Sequence, residues 1–450
     1  MYLVQIISLV IYAVVMCGSL YDFKRTVIIW VPFSFLFSPQ VCVLYNPPIT
    51  ALTVAVNLSL VMFYFLFKRG YNNTYNNEYF FFMPAIKVMC CSFLLATVFS
   101  DMPFMSSFNR IVKTTIESFG MIIILYRVLN TKDDIFLFVK ILAISAIIFC
   151  LDGLIEGLTH INPWGDFLYF FSRCDEETSG RGWHIPYSIS GTGLMRFGMI
   201  RCYSVFAYHI IFGFSCCLVL YILMVMYKYK ENIFSCHNTK NNIIYYVLFG
   251  LLSIGVILCN SKGPMLLLIF ILLTQYGFKE LINPLLLTPI IIIVLLILIY
   301  FPDYFLNFTS LVDSDVAEEG GGSSVALRQR QMTVAMNLFS RSPLCGNGIG
   351  SVVYYKQFGF EEILGAESIW LKLLPDQGIL GVFAYLYIYI NLYVNSKNIM
   401  PLKTSLFFLV GIFIFDTTNG TAYGILFWWI GIFLCIRRYY ELKNLQYECY

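Results

Sequence analysis

The chain has 450 residues, 59% hydrophobic and 12% charged, with a net charge of +3. Soluble domains carry about 25% charged residues, so half that share leaves too little polar surface to cover a globule of this mass. A soluble enzyme, a secreted scaffold, a disordered chain and a coiled coil are excluded, and a polytopic membrane protein remains. The aromatic content of 18% suits belts at the membrane–water interface.

A helix needs roughly 20 apolar residues to cross about 30 Å of hydrocarbon. Runs of this kind fall near 2–20, 27–45, 48–67, 82–100, 112–129, 135–152, 197–227, 243–260, 263–277, 282–301, 367–393, 403–417 and 420–436. They predict an all-α, polytopic transmembrane helix bundle of about 12–13 spans. It would form a single integral membrane domain over residues 1–450. Residues 1–20 have no basic n-region and read as a retained first span. Lys24, Arg25, Lys68, Arg69, Arg127, Lys132, Lys228, Lys230, Lys240, Lys279, Lys397, Lys403, Arg437 and Arg438 fall on one side if the spans alternate, which makes that side cytoplasmic. The N-terminus is then outside and the C-terminus inside.

Two long outer loops follow, 153–196 and 302–366, containing short amphipathic helices. The first holds His160, Trp164, Trp183, His184 and the run Arg173-Cys174-Asp175-Glu176-Glu177. The second holds an acidic, glycine-rich stretch from Asp313 to Ser324. Most of the 14 cysteines lie in apolar runs (Cys90, Cys91, Cys150, Cys216, Cys217, Cys259), where they behave as small hydrophobes. Cys174 and Cys345 sit in the long loops, and spacing gives no support for a bridge between them.

Long outer loops escape the positive-inside rule, so their cations need another account. Arg173, Arg181, Arg196, Arg201, Arg328, Arg330 and Arg341 lie outside or at the outer edge of a span, and Lys262 caps the outer end of a helix. Snorkelling to headgroups explains any one of them. The set, drawn from three separated stretches, points instead to an anion site. Guanidinium forks match phosphate oxygens bidentately, and a lipid phosphate or pyrophosphate is the large anion expected at such a surface.

Residues 325–339 read as an amphipathic helix stopped by Pro343. Gly346-x-Gly348-x-Gly350 then predicts a tight turn with exposed amides, or a plain loop. Later comes Ala366-Glu367-Ser368-Ile369-Trp370, then Pro375-Asp376-Gln377-Gly378-Ile379-Leu380-Gly381. This arrangement resembles the O-antigen ligase and O-antigen/exopolysaccharide polymerase superfamily of bacterial membrane proteins. Arg328, Met332, Pro343, Gly346, Gly348, Glu367, Gly378 and Gly381 fall on that superfamily's spacing. Arg196 to His209 resembles its arginine-led entry into a span, and Asn260-Ser261-Lys262-Gly263 resembles its Ser-Arg-Gly element with Lys for Arg. The likeness covers roughly the C-terminal two-thirds. Met332 stands where a Trp is common, and Glu367 stands at the ligase-type histidine position, which favours the polymerase branch.

The resemblance implies a metal-independent glycosyltransferase without a cofactor, in the bacterial inner membrane. It would move polysaccharide from an undecaprenyl-pyrophosphate carrier to the sugar hydroxyl of a lipid-linked repeat unit. Implied partners are that lipid-linked oligosaccharide, membrane lipids, and the chain-length regulator and flippase of the same lipopolysaccharide or exopolysaccharide pathway; nucleic acid is not among them. Arg201 and Arg328 would stabilise the leaving pyrophosphate, with Arg196, Lys262, Arg330, Arg341, Gly346 and Gly348 binding substrate. Glu367 would be the general base; equally, it is an acid favoured by a helix N-terminus. His160, His184 and His209 are lower-ranked bases, and Asp152 with Glu156 suits sugar hydroxyls or, more simply, a solvated helix end. Asp313-Ser314-Asp315 spells a metal motif but reads as a solvated loop. The rival readings are a ligase with another acceptor and a lipid-linked oligosaccharide flippase. The lack of an internal repeat and the outer position of the charge argue against the flippase.

Overall fold

The computed structural model describes residues 3–37, 42–45, 48–67, 80–100, 102–172, 195–196, 199–206, 208–229, 231, 233–234, 238–281, 325–351, 368–418 and 423–448. In chain order the elements are α1 (Leu3–Tyr21), α2 (Phe23–Phe33), strands β1 (Cys42–Tyr45) and β2 (Pro48–Ala51), and α3 (Leu52–Phe67). Next come α4 (Met83–Val98), α5 (Phe104–Lys113), a π-helical segment (Thr114–Gly120), α6 (Met121–Val128), α7 (Lys132–Thr159) and α8 (Pro163–Ser172). Strands β3 (Met195–Arg196) and β4 (Met199–Ile200) lead into α9 (His209–Lys228), α10 (Asn238–Leu258) and α11 (Lys262–Leu281). The series closes with α12 (Val325–Phe339), α13 (Trp370–Ser396), α14 (Leu402–Thr418) and α15 (Tyr423–Glu448).

The protein is an all-α helical membrane protein, with two short hairpins as its only described strands. Three described helices are long and apolar enough to cross a membrane: Lys132–Thr159, His209–Lys228 and Trp370–Ser396. Shorter apolar helices cover Ile6–Tyr21, Leu52–Leu66, Met83–Val98, Ser118–Val128, Asn242–Leu258 and Lys262–Gln275. The expected span at 282–301, residues 173–194 of the first long loop, and residues 302–324 and 352–366 of the second lie outside the described residues.

Several boundaries differ from the hydropathy reading. The run 27–45 is not one helix: α2 ends after Pro32, a 3-10 turn occupies Ser34–Leu36, and β1 pairs antiparallel with β2. Proline in a helix removes an amide donor and clashes with the preceding turn. Residues 199–206, expected inside a span, form strand β4 and an irregular loop. The connection 101–111 is largely the helix α5. Hydropathy measures apolarity, and these segments are apolar without being helical, or helical without being buried.

The chain divides into two compact units, each discontinuous in sequence: residues 1–69 with 128–322, and residues 70–127 with 323–450. In the first unit α9 forms the centre, its residues Phe212 to Met226 buried on every face against α7, α10 and α11. Helix α7 starts with a capping box, in which the Thr131 hydroxyl accepts from the Asp134 amide, and Lys24 pairs with Asp134 at 2.7 Å. Near its far end, Gly157 lets the chain approach closely: a Cβ there would sit 2.8 Å from Leu258 Cδ2 and 3.3 Å from Cys202 Sγ. On α1, Ile6, Val10 and Val14 are exposed, the pattern of a face turned to lipid.

In the second unit α13 packs against α4, α12 and α14. It contains Pro375 and bends at Gly378, whose φ of 64° and ψ of −160° are non-helical. Helix α12 is amphipathic as expected. Gln331, Ala335 and Leu338 are buried, while Arg330, Met332, Thr333, Met336 and Asn337 are exposed.

Candidate functional site

In the first unit, the two-residue hairpin β3–β4 pairs Met195 with Ile200 and Arg196 with Met199, and Arg201 follows at once. Arg196 is buried at 9% exposure and Arg201 is half-buried. Both guanidinium groups lie within electrostatic reach of His209, the first residue of α9. Arg201 also reaches Cys259, in the turn between α10 and α11. Two hydrogen bonds join the hairpin segment to that turn. The Asn260 side-chain amide donates to the Arg196 carbonyl at 2.9 Å, and the Cys202 amide donates to the Leu258 carbonyl at 3.0 Å. Asn260 takes a left-handed φ of 45°, which asparagine tolerates better than most residues and which turns the chain into Ser261 and Lys262 at the head of α11. Arg196, Arg201, His209 and the Asn260–Lys262 turn, separate in sequence, are thus gathered at one end of the α9–α10–α11 group.

The loop that carries Arg201 is held from α7. Glu156 is fully buried, and its Oε2 accepts the amides of Tyr203 at 3.1 Å and Ser204 at 2.8 Å. The Ser204 hydroxyl donates to the Phe149 carbonyl at 2.6 Å, and the Asn162 side-chain amide donates to the Ser204 carbonyl at 2.9 Å. The expected solvated helix end at Asp152 and Glu156 is therefore corrected. Asp152 accepts the Trp164 amide at 3.3 Å, and Glu156 is an internal anchor. Sequence reasoning found the pair but not its role, because the Glu156 partners are backbone amides 47 and 48 residues away. Burial raises the Cys202 thiol and the Tyr203 phenol above their ordinary pKa values, with the Glu156 carboxylate adding to both, so each stays neutral at physiological pH.

In the second unit, the glycine-rich turn after α12 docks on the bend of α13. The Asn347 amide donates to the Pro375 carbonyl at 2.8 Å, and the Gly348 amide to the Asp376 carbonyl at 3.0 Å. The Gly350 amide and the Ser351 hydroxyl both donate to the Asp376 carboxylate, at 3.0 and 2.6 Å. In return the Ile379 and Leu380 amides donate to the carbonyls of Pro343 and Leu344. Gly346 and Gly348 have φ of 74° and 104°. A Cβ on Gly346 would meet the Gln377 amide nitrogen at 2.3 Å, and one on Gly348 would meet Ser100 Oγ at 2.2 Å. The expectation of exposed amides at Gly346 and Gly348 is corrected accordingly. Both residues are buried, and their amides are consumed by Ser342 and Asp376. The run is a packing joint, and Asp376, to which the sequence reading gave no role, organises it.

Arg330 and Arg341 are exposed on and just after α12. Arg328 falls in the first turn of α12, its side chain outside the described set, and Glu367 lies outside the described residues, as do Arg173, Cys174, Arg181 and His184. The residues immediately after Glu367 are fixed. The Ser368 hydroxyl and the Ile369 amide both donate to the Asp416 carbonyl, at 3.1 and 2.8 Å. The Asp416 carboxylate is buried and accepts the hydroxyls of Tyr385, at 3.0 Å, and Tyr389. A carboxyl in an apolar helix was the signal for this cluster. The hydropathy reading placed Asp416 at the end of the run 403–417 and gave it no role.

Residues 247–386 match the model of the O-antigen ligase family. The matched stretch runs from α10 through the Asn260–Lys262 turn, α12 and the glycine-rich joint into α13. It supports the O-antigen ligase/polymerase superfamily expected from the sequence, without resolving the branch. The fold defines a helical membrane protein, and its stretch 247–386 is similar to the O-antigen ligase family. No curated protein matches the chain.

Proposed function

We propose that the chain is a glycan polymerase of the outer face of the bacterial cytoplasmic membrane. It moves a growing polysaccharide from undecaprenyl pyrophosphate to the sugar hydroxyl of a lipid-linked repeat unit. The acceptor oxygen attacks the anomeric carbon, the bond from that carbon to the pyrophosphate oxygen breaks, and the carrier leaves with the electron pair. The hydroxyl proton passes to Glu367. Arg201 and Arg328 stabilise the developing charge on the pyrophosphate, and Arg196, Lys262, Arg330 and Arg341 bind donor. Cations preorganised at a water-poor surface interact more strongly as the local dielectric falls. No metal is required in this scheme.

The observation that carries the reading is the gathering of Arg196 and Arg201 at His209, beside the Asn260–Lys262 turn. Guanidinium forks match phosphate oxygens bidentately, and a phosphate-bearing lipid is the large anion expected at a membrane surface. Purified protein with lipid-pyrophosphate-linked repeat units should produce a ladder of lengthening products. In cells, Arg328→Ala should abolish long-chain surface glycan while single repeat units stay attached and the protein stays in the membrane; full-length glycan in that variant would count against the assignment. The ligase reading draws on the description of the matched family. It requires en bloc transfer to a lipid A-core or other acceptor, with no ladder from repeat units alone.

A further inference from the structure

We propose that Glu156 is a positioning residue for donor binding: it sets the location of Arg201 by clamping the backbone of the loop that carries it. The inference rests on the proposed use of Arg201 at the donor pyrophosphate and adds a residue that the reading above does not use.

The loop from Arg201 to Phe206 is irregular, and irregular backbone near a membrane must have its polar groups satisfied from within the protein. Glu156 does this with one oxygen, taking two successive amides, those of Tyr203 and Ser204. Ser204 sits at φ 53°, a left-handed conformation that a non-glycine residue holds only when its surroundings over-determine it. Here they do. The amide goes to Glu156, the carbonyl to Asn162, the hydroxyl to Phe149, and the Phe206 amide closes the turn onto the Tyr203 carbonyl at 2.9 Å. Arg201 is two residues before the first clamped amide. Between Arg201 and that amide, the Cys202 amide is fixed to the Leu258 carbonyl. The guanidinium thus hangs from a backbone pinned at consecutive positions, within electrostatic reach of His209 and Cys259. A carboxyl group suits this task, since a single one of its oxygens has two lone pairs and takes both amides at once. The alternative, that Glu156 merely fills space at the end of α7, predicts no link to Arg201.

Three measurements on the purified full chain separate the possibilities. Backbone hydrogen exchange in Glu156→Ala should show protection at Tyr203 and Ser204 lowered by roughly ten-fold or more, with the α9 amides from Phe214 to Met226 still protected. Retained protection at 203 and 204 overturns the clamp, and loss throughout α9 means that Glu156 supports the whole fold and overturns the positioning claim. Binding of inorganic pyrophosphate is the second probe. Glu156→Ala should weaken it by the same factor as Arg201→Ala, the double variant should be no weaker than either, and Glu156→Gln, which keeps one acceptor oxygen, should restore part of it. Independent, multiplying losses overturn the proposal. The third is turnover: Glu156→Ala should lower donor kcat/KM by about 100-fold, the cost of an ångström-scale misplacement, with the acceptor KM unchanged. The first two arms need no polymer product. A wild-type protein that makes no ladder but binds pyrophosphate through Arg201 would therefore sink the polymerase reading and leave this one standing.

Discussion

Single residues here carry opposite kinds of information. Arg437 reads in the sequence as part of a cytoplasmic basic pair, a topology signal and nothing more. In the structure its guanidinium lies 4.0 Å over the Phe81 ring, pairs with Glu441 at 2.5 Å and donates through Nε to the Asn395 carbonyl at 3.1 Å. Lysine keeps the charge but has neither the planar fork nor the Nε donor. Arg437→Lys should leave the orientation of the chain unchanged while destabilising it by about 1–2 kcal/mol, the combined scale of a cation–π contact and a charged hydrogen bond; thermal unfolding in detergent is the check, and an unshifted midpoint would contradict the contact. Gly348 makes the parallel case for a glycine expected to face substrate. Its φ of 104° and the nearness of Ser100 leave no room for a side chain. Gly348→Ala should cost about 1–3 kcal/mol through backbone strain and clash, and should act on protein yield and melting before it acts on substrate affinity. At Glu367 the expectation is chemical: Glu367→Gln should abolish transfer if the carboxylate is the base, and retained activity would demote it to a helix-end acid.

Between elements, the tie of the glycine-rich turn to the bend in α13 is reciprocal, with amides of each segment donating to carbonyls of the other. Asp376 completes it by accepting from Gly350 and Ser351. Asp376 is half-buried, and removing its carboxylate strands both donors, at about 1 kcal/mol per group. Asp376→Ala should therefore loosen the joint as a whole. The measurable result is faster limited proteolysis within 340–351, where α13 itself stays intact. Hydrophobic pattern and punctuation revealed α12, its stop at Pro343 and the glycine turn, because these follow from local periodicity and local dihedral preference. That the turn is occupied by α13 was not legible. Glycine permits a tight turn whether its amides face a phosphate or another helix, and only the partner's position chooses between them. The same limit applied to Glu156 and Asp416: each is a carboxyl within or at the end of an apolar run, and its partners are distant in sequence.

For the whole molecule, charge placement makes a prediction that packing does not. The long segment 302–366 should be non-cytoplasmic, and reporter fusions within it should show activity only outside the cell. An interior result would remove the basis for outer-face transfer. Composition settled that the chain is a membrane protein, since too few charged residues exist to coat a soluble globule of this size, and the length of its apolar runs settled that it is all-α. The order of arginines, glycines and acids likewise sufficed to bring out the superfamily, whose model matches residues 247–386. Tertiary structure alone decided which polar groups meet. It gathered Arg196, Arg201 and His209 at the Asn260–Lys262 turn, clamped their loop from Glu156, and turned the glycines inward. Hydropathy and spacing act along the chain, residue by residue. Hydrogen bonds and Coulomb contacts act through space, and their partners are fixed only once the helices have packed.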